Sequence, residues 1–234
     1  MRKTLDIPAC KDCMLGCKTI FNSLNPDELD KLTFQKSCSN YKKGTTLFQE
    51  GNRIHNFYCI SSGVVKLYKT GSEGKDQIVS FAKAGDIIGY RSILSKEMAC
   101  TTAKAIEEVT VCSIPGENLF DLIEHNPKFS IELMRLACKE LGEANQFLTD
   151  IAQKSVRERL AEVLIKLKLF FSVDGEGFLK VSLTRDEMAS LVGTATESVI
   201  RLLSEFKSDK YIELQGRRIK ILNEEKLRKL SSFY

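Results

Sequence analysis

The sequence predicts an α+β fold in which a β-roll (jelly-roll), a long helix and a winged helix-turn-helix follow one another along the chain. Glycine-separated apolar stretches fill residues 41–114, a heptad repeat runs through residues 131–152, and two short amphipathic helices flank Gly193. Three domains are therefore predicted. They are residues 1–125, with an N-terminal cysteine segment and the β-roll, residues 126–152, with the long helix, and residues 153–234, with the winged helix-turn-helix.

The composition is typical of a globular protein, with 43% hydrophobic and 28% charged residues. No apolar run approaches the roughly 18 residues of a membrane helix, and residues 1–6 lack the apolar core of a secretory signal. His55 and His125 are the two histidines, and neither belongs to a hydrolase or nucleophile motif. We therefore expect a cytoplasmic protein that has no membrane segment. We also expect that the protein is not an enzyme.

The excess positive charge lies in the last third of the chain. Residues 151–234 carry 16 Lys and Arg against 12 Asp and Glu, a net charge of +4, whereas residues 1–150 carry 19 of each. This distribution favours a polyanionic partner, and the alternative is a basic surface that contacts only solvent.

Glycines divide residues 41–114 into short predicted strands. Glycine adopts the positive φ angles of tight turns, and a spacing of about ten residues predicts a β barrel, roll or sandwich. The last strand covers residues 109–114 and ends at Pro115. The dividing glycines are Gly44, Gly51, Gly63, Gly71, Gly74, Gly85 and Gly89.

The long helix carries a narrow apolar seam with alternating spacings of three and four residues. This pattern is typical of a two-stranded coiled coil, and the polar Asn145 within it would fix the register. The alternative is a helix that packs only on its own domain. The seam residues are Ile131, Met134, Cys138, Leu141, Asn145, Leu148 and Ala152.

The C-terminal third predicts a helix over 155–171, a strand over 179–183, two helices around Gly193, and a hairpin over 211–222 that turns at Gln215 and Gly216. Thr184 and Glu187 form a capping box at the start of the first of the paired helices. A short turn between two helices, followed by a hairpin, is the layout of a winged helix-turn-helix, which places its second helix in a DNA major groove.

The second helix carries side chains suited to base recognition. Arg201 would bind guanine O6 and N7, and Glu197 would accept a hydrogen bond from cytosine N4. Because these two residues lie four apart, they would also support each other, and a surface ion pair is the plain alternative. Thr196 and Ser198 lie on the same face, while Arg185, Arg217 and Arg218 are candidate phosphate contacts.

Residues 184–214, TRDEMASLVGTATESVIRLLSEFKSDKYIEL, resemble the recognition region of the CRP/FNR family of bacterial transcription regulators. The segments KKGTTLFQEG, IHNFYCISSGVVKLY and AGDIIGYRSIL resemble the cyclic-nucleotide-binding-type β-roll of that family. This resemblance implies a homodimer on a palindromic operator in double-stranded DNA, with RNA polymerase as a further partner. It assigns base recognition to Glu197 and Arg201.

The resemblance does not extend to the residues that hold a cyclic nucleotide. Gly89 and Tyr90 stand where those members carry Gly-Glu, and Ala99 and Cys100 replace the Arg-Ser pair that holds the phosphate. Alanine cannot supply the charged fork of arginine, so cyclic AMP is not the expected effector.

Eight cysteines include three in CKDCMLGC, residues 10–17, and such clustering points to a metal or cluster site. Cys10, Cys13 and Cys17, with Cys112 in VTVCSIP, resemble the ligands of the iron–sulfur cluster in the FNR branch, although the gap between Cys13 and Cys17 is shorter here. The resemblance implies a 4Fe–4S cluster and an oxygen or redox switch, and zinc would accept the same four thiolates.

Four further cysteines complete the prediction. Cys38 and Cys100 are substitutes as the fourth ligand, and Cys59 and Cys138 are interpreted as packing residues. The alternative to redox control is a small ligand in the β-roll, with the cysteines binding zinc or nothing.

Overall fold

The computed structural model describes Cys10 and residues 19–231. The chain divides into two compact units, Met1–Gly142 and Glu143–Tyr234. This division falls inside the long helix, so the three predicted domain boundaries remain predictions. Among the residues that the structure describes, none of the helices is long and apolar enough to cross a membrane.

Two antiparallel four-stranded sheets form the centre of the first unit. The strands are β1 (Ser37–Tyr41), β2 (Thr46–Phe48), β3 (Asn56–Ser62), β4 (Val64–Thr70), β5 (Asp76–Lys83), β6 (Ile87–Ile88), β7 (Thr102–Ala105) and β8 (Val109–Pro115). The strand orders of the two sheets are β1-β8-β3-β6 and β2-β7-β4-β5. Gly63 joins β3 to β4 with a φ of +79°, and a Cβ atom there would lie 2.3 Å from the Glu108 carbonyl oxygen.

Alternate residues of the first sheet face two different cores. Ile60 and Val111 pack between the two sheets with Val65 and Ala103 of the second sheet. On the other face, Phe57 and its neighbours pack against the helices of this unit. Successive side chains of a strand point to opposite faces, so a sheet buried on both sides has this alternation. The predicted β-roll is confirmed.

Helices cover the outer face of the first sheet. A 3₁₀ helix (Ile20–Ser23), α1 (Pro26–Gln35), α2 (Tyr90–Ser95) and α3 (Gly116–His125) belong to this unit. Asn25 and Glu28 form a capping box that fixes the start of α1. The rings of Phe21 and Phe129 stack with centroids 6.2 Å apart, which joins the 3₁₀ helix to the long helix that follows.

The long helix, α4 (Pro127–Gln153), buries one face and exposes the predicted seam. Phe129 and Leu133 are buried in the core beneath the first sheet. The apolar residues of the seam stay exposed, so packing on its own unit leaves the seam uncovered. Their relative exposures are 46% for Ile131, 58% for Met134, 63% for Leu141 and 67% for Leu148.

The second unit has the predicted order of helices and a hairpin. Residues 179–183 form no strand, because their pairing is limited to isolated bridges, Val173 with Leu179 and Phe178 with Lys220. The two-residue turn of the hairpin is Gly216 and Arg217, one position later than predicted. The elements are α5 (Val156–Phe171), α6 (Arg185–Val192), α7 (Thr196–Ser208), β9 (Ile212–Gln215), β10 (Arg218–Ile221) and α8 (Glu224–Ser231).

Candidate DNA interface and cysteine site

The turn between α6 and α7 is fixed by a glycine and an arginine. Gly193 has a φ of +70°, and a Cβ atom there would lie 2.7 Å from Ile151 Cδ1. Arg159 of α5 donates hydrogen bonds to the carbonyl oxygens of Val192, at 2.9 Å, and Gly193, at 3.2 Å. Sequence reasoning did not single out Arg159, because its partners lie 33 and 34 residues away.

Helix α7 separates an apolar face from a polar one. Val199, Leu202, Leu203 and Phe206 are buried. Glu197, Ile200 and Arg201 are exposed at the start of the helix, while Thr196 and Ser198 are half-buried. The Thr196 hydroxyl donates to the Asp186 carboxylate at 2.7 Å, which ties α7 to α6. The predicted base-reading residues therefore share the exposed N-terminal part of α7.

Arg201 pairs with Glu205 rather than with Glu197. Its guanidinium lies 2.6 Å from Glu205 Oε1, and the side chain is 65% exposed. The other oxygen of Glu205 lies 2.6 Å from Arg157, which also pairs with Asp209 at 2.7 Å. Because Arg157 still pairs with Glu205, Arg201 is able to leave for a base without leaving that carboxylate unpaired.

Two of the three predicted phosphate contacts lie at the wing turn. Arg185 donates to the Gly216 carbonyl oxygen at 2.9 Å, and its Nη1 is buried with no hydrogen-bond partner in the described part of the chain. Burial lowers the pKa of Arg185, and the neighbouring positive charge of Arg217 lowers it further. Two adjacent cations at the wing turn suit a phosphate oxygen.

Arg218 is engaged inside the wing. It pairs with Asp174 at 2.8 Å and Glu176 at 2.7 Å, and its guanidinium lies 4.2 Å from the centroid of the Phe178 ring. These contacts neutralise its charge and hold the hairpin against the preceding turn. We therefore propose that Arg218 stabilises the wing and that Arg185 and Arg217 contact phosphate.

Replacing Arg217 by alanine is expected to weaken DNA binding equally for operator and unrelated duplexes, because a phosphate contact carries no sequence information. The slope of log affinity against log salt concentration should fall in magnitude by about 1. Fluorescence-anisotropy titrations at several salt concentrations measure both effects, with Arg217→Lys as the control that keeps the charge. A sequence-selective loss would contradict the phosphate role.

Three cysteines lie side by side on the first sheet. Cys38 of β1 and Cys59 of β3 are both register partners of Cys112 of β8. Directly opposite residues of antiparallel strands point to the same face, so the three thiols share the helix-covered face. Cys112 is 3% exposed, and the other two are half-buried. Burial raises the pKa of the Cys112 thiol far above its usual value, and a hydrogen bond with Cys38 raises it further.

Cys10 joins this row from the N-terminal segment. Its backbone N–H donates to Thr33 Oγ1 at 3.0 Å, and its side chain packs against the core beneath the sheet. The ammonium of Lys36 lies near the thiols of Cys10, Cys38 and Cys112 and donates a hydrogen bond to Cys10. Two of the predicted ligands, Cys10 and Cys112, thus lie around one lysine, together with the predicted substitute Cys38.

Cys13 and Cys17 lie outside the residues that the structure describes. Among the described residues, no group of three or more His, Cys, Asp or Glu side chains is arranged to hold a metal ion. Cys59 packs against the helix-covered core, as predicted. Cys138 is exposed on the seam of α4, so its interpretation as a packing residue depends on the proposed pairing of two α4 helices. Cys100 is exposed, and its carbonyl oxygen accepts a hydrogen bond from Lys69.

Two of the positions that correspond to a nucleotide site, Tyr90 and Ala99, are buried. Tyr90 at the start of α2 is 2% exposed, and Ala99 is 3% exposed in the core between the sheets. Burial raises the pKa of Tyr90, and the nearby carboxylate of Glu140 raises it further. Arg91 pairs with the same Glu140 of α4 at 3.4 Å. Neither Tyr90 nor Ala99 offers the charged group that the Gly-Glu and Arg-Ser motifs present.

Comparison with known proteins supports the assignment of both units. The family described as Cyclic nucleotide-binding domain matches residues 38–126, and the Crp-like helix-turn-helix domain matches residues 158–230. The Fumarate and nitrate reduction regulatory protein of Vibrio cholerae is 32% identical over 225 residues, which cover 95% of this chain and 90% of that protein. The Transcriptional activator protein FnrA of Stutzerimonas stutzeri is 31% identical, covering 92% and 88%.

Solved structures agree in fold. FixK2 from Bradyrhizobium japonicum superposes with a TM-score of 0.74 at 23% identity, covering 83% of this chain and 96% of that one. TTHA1359, a transcriptional regulator of the CRP/FNR family from Thermus thermophilus, gives 0.72 at 21% identity, covering 84% and 98%. The β-roll and the capped helix-turn-helix agree with these matches. This chain belongs to the CRP/FNR family of DNA-binding transcription regulators.

Proposed function

We propose that this regulator binds a palindromic operator as a homodimer and that an iron–sulfur cluster on Cys10, Cys13, Cys17 and Cys112 makes its DNA binding respond to oxygen or redox state. The observation that carries the proposal is the position of Cys10, which packs against the helix-covered core beneath the first sheet, on the face that carries Cys112. A cysteine of the N-terminal motif therefore lies on the same side of the sheet as the fourth predicted ligand. Relatives whose names refer to fumarate and nitrate reduction also support a response to oxygen or redox state.

The chemistry of the four predicted ligands fits such a group. Four thiolates are the usual ligands of a cubane cluster, and the sulfur row offers soft donors on a face shielded from water. When bound, the group would supply a reaction with oxygen that the protein's own side chains lack. The alternative of tetrahedral zinc uses the same thiolates and would make the site structural.

The chain's own packing connects the cysteine site to α4. The core that contains Phe21, Leu32 and Ile114, against which Cys10 packs, also contains Phe129 and Leu133 of α4. Ligation of Cys10 and Cys112 together would hold the N-terminal segment against this core. The position of α4, and with it the exposed seam, would then depend on whether those thiols are ligated.

The exposed seam and α7 supply the two parts of operator recognition. Pairing of two α4 helices along Ile131, Leu141 and Leu148 would bury apolar surface that one protomer leaves in water. It would also hold two copies of α7 for major-groove half-sites about one helical turn apart. Arg201 and Glu197 would read bases there. A regulator whose partners are DNA and RNA polymerase would act in the cytoplasm.

Iron, acid-labile sulfide and zinc contents of protein purified without oxygen test the proposal, together with the visible spectrum before and after exposure to air. Near-equal iron and sulfide with a brown absorbance that bleaches in air are expected. Cys112→Ser should lose most of the bound iron and sulfide, because one thiolate ligand is removed. Cys138→Ser, which changes an exposed thiol on α4, is the matched control and should keep the wild-type contents.

Other outcomes select the alternatives. Zinc without iron would make the cysteine site structural. Metal-free, colourless protein would overturn the cluster and direct attention to a small ligand in the β-roll.

A further inference from the structure

Arg157 of α5 shares a carboxylate with Arg201, the predicted base-reading residue of α7. Arg157 Nη1 lies 2.6 Å from Glu205 Oε2, and Arg201 Nη1 lies 2.6 Å from the other oxygen, Oε1. Each arginine therefore occupies one oxygen of Glu205. A carboxylate shared by two cations attracts each of them less than it attracts one alone, because the two cations repel each other. The strength with which Glu205 holds Arg201 consequently depends on Arg157.

Arg157 is held more firmly than Arg201. Its Nη2 lies 2.7 Å from Asp209, and its guanidinium lies 4.8 Å from the centroid of the buried Phe206 ring. These contacts leave the Arg157 side chain 32% exposed, whereas that of Arg201 is 65% exposed. An exposed ion pair within one helix is weak, whereas a guanidinium that is already fixed loses little entropy on pairing. When DNA approaches α7, the pair of Arg201 with Glu205 therefore breaks first.

We propose that Arg157 is a positioning residue that determines how strongly this regulator discriminates at the base pair read by Arg201. This inference rests on the proposed base recognition by Arg201. By occupying one oxygen of Glu205, Arg157 prevents that carboxylate from binding the Arg201 guanidinium through both oxygens. Bidentate binding by Glu205 would compete with the two acceptors of guanine, O6 and N7. With Arg157 in place, Arg201 exchanges one contact with Glu205 for two hydrogen bonds to guanine.

Removing Arg157 should lower the discrimination, and removing the charge of Glu205 as well should restore it. In Arg157→Met both oxygens of Glu205 are left to Arg201, so the preference for guanine should fall about threefold to tenfold. In the double variant Arg157→Met/Glu205→Gln the competing charge is gone, and the preference should return to within about twofold of wild type. If Arg157 served only to hold α5 against α7, the double variant would recover nothing, because it loses a second contact of the same joint.

The measurement is the ratio of two dissociation constants of the full-length protein. One duplex is the operator that wild-type protein selects from a library of randomised half-sites. In the other duplex, adenine replaces the guanine whose selection is lost in Arg201→Ala. The ratio cancels the uniform loss of affinity that follows the removal of a positive charge near DNA. Circular dichroism shows whether each variant is folded, and Arg157→Gln repeats the test if Arg157→Met does not fold.

Lys168→Met is the matched control. Lys168 of α5 also shares a carboxylate with an arginine, since Lys168 and Arg228 lie 2.6 Å and 2.7 Å from Glu224. The exposed fractions of Lys168, 34%, and Glu224, 32%, are close to those of Arg157 and Glu205, 32% and 38%. Because Glu224 begins α8 rather than lying on α7, this variant should keep the wild-type ratio.

The outcomes separate this inference from the proposed function. A wild-type ratio in Arg157→Met overturns the role of Arg157 and leaves base recognition by Arg201 standing. A ratio in the double variant as low as that of Arg157→Met overturns it in favour of a structural role. Wild-type protein that selects no guanine dependent on Arg201 overturns the proposed base recognition, and the role of Arg157 with it.

Discussion

Replacing Arg201 by alanine is expected to abolish discrimination at one base pair in each half-site and to weaken operator binding by about 1–3 kcal/mol per contact. Arg201 is 65% exposed near the start of α7 and has the bidentate geometry that matches guanine. To reach a base, Arg201 must leave Glu205, but Arg157 remains paired with that carboxylate. The arginine is therefore held ready for a base at a low energetic cost.

Selection from a duplex library with randomised half-sites measures this effect. The wild-type protein should show a strong guanine preference at one position, and Arg201→Ala should show none there while keeping the other preferences. Lys207→Ala provides the control, because Lys207 is exposed in the last turn of the same helix. An unchanged base preference in Arg201→Ala would remove Arg201 from base recognition.

Local signals were sufficient to predict most of the fold. The Thr184–Glu187 capping box and the left-handed Gly193 lie where the sequence places them, because both depend on a few neighbouring residues. The β-roll followed from its glycines in the same way. For Gly63 the structure adds a reason beyond the turn, since a side chain would collide with the backbone of residue 108.

Pairing between distant segments could not be predicted in this way. Residues 179–183 alternate like a strand, but a strand also needs a neighbour. In the described part of the chain, the backbone link from this segment to β10 is the hydrogen bond that the Leu179 N–H donates to the Ile219 carbonyl oxygen. The partner of Arg201 was misassigned for a similar reason. Glu197 and Glu205 both lie four residues from Arg201, and the pairing with Glu205 includes Arg157 of another helix.

The cysteine site shows the same limit. The motif in residues 10–17 and the resemblance around Cys112 indicated which thiols to consider. The sequence does not give the register that places Cys38 and Cys59 beside Cys112, because register depends on the packing of whole strands. The sequence also does not show that Lys36 is buried while Phe34, two residues earlier, is exposed.

Leu148→Glu is expected to have the largest effect on DNA binding, through the proposed dimer. Leu148 is 67% exposed in the protomer and lies on the seam of α4, where a second copy would bury it. A carboxylate in that interface would be desolvated without a partner, so the dimer should dissociate. Operator affinity should then fall by about 10²–10⁴-fold, because two linked half-site contacts become independent.

The exposure of residue 148 also makes the variant informative. The glutamate remains in water in the free protomer, so the folding of the protomer should be unaffected. Sedimentation velocity should show a monomer with wild-type circular dichroism and only weak half-site binding. Gln153→Glu adds the same charge to an exposed position at the end of α4, outside the seam, and should remain dimeric. If Leu148→Glu stays a dimer with full operator affinity, the two protomers do not pair along this seam, and another surface must set the spacing of the two α7 helices.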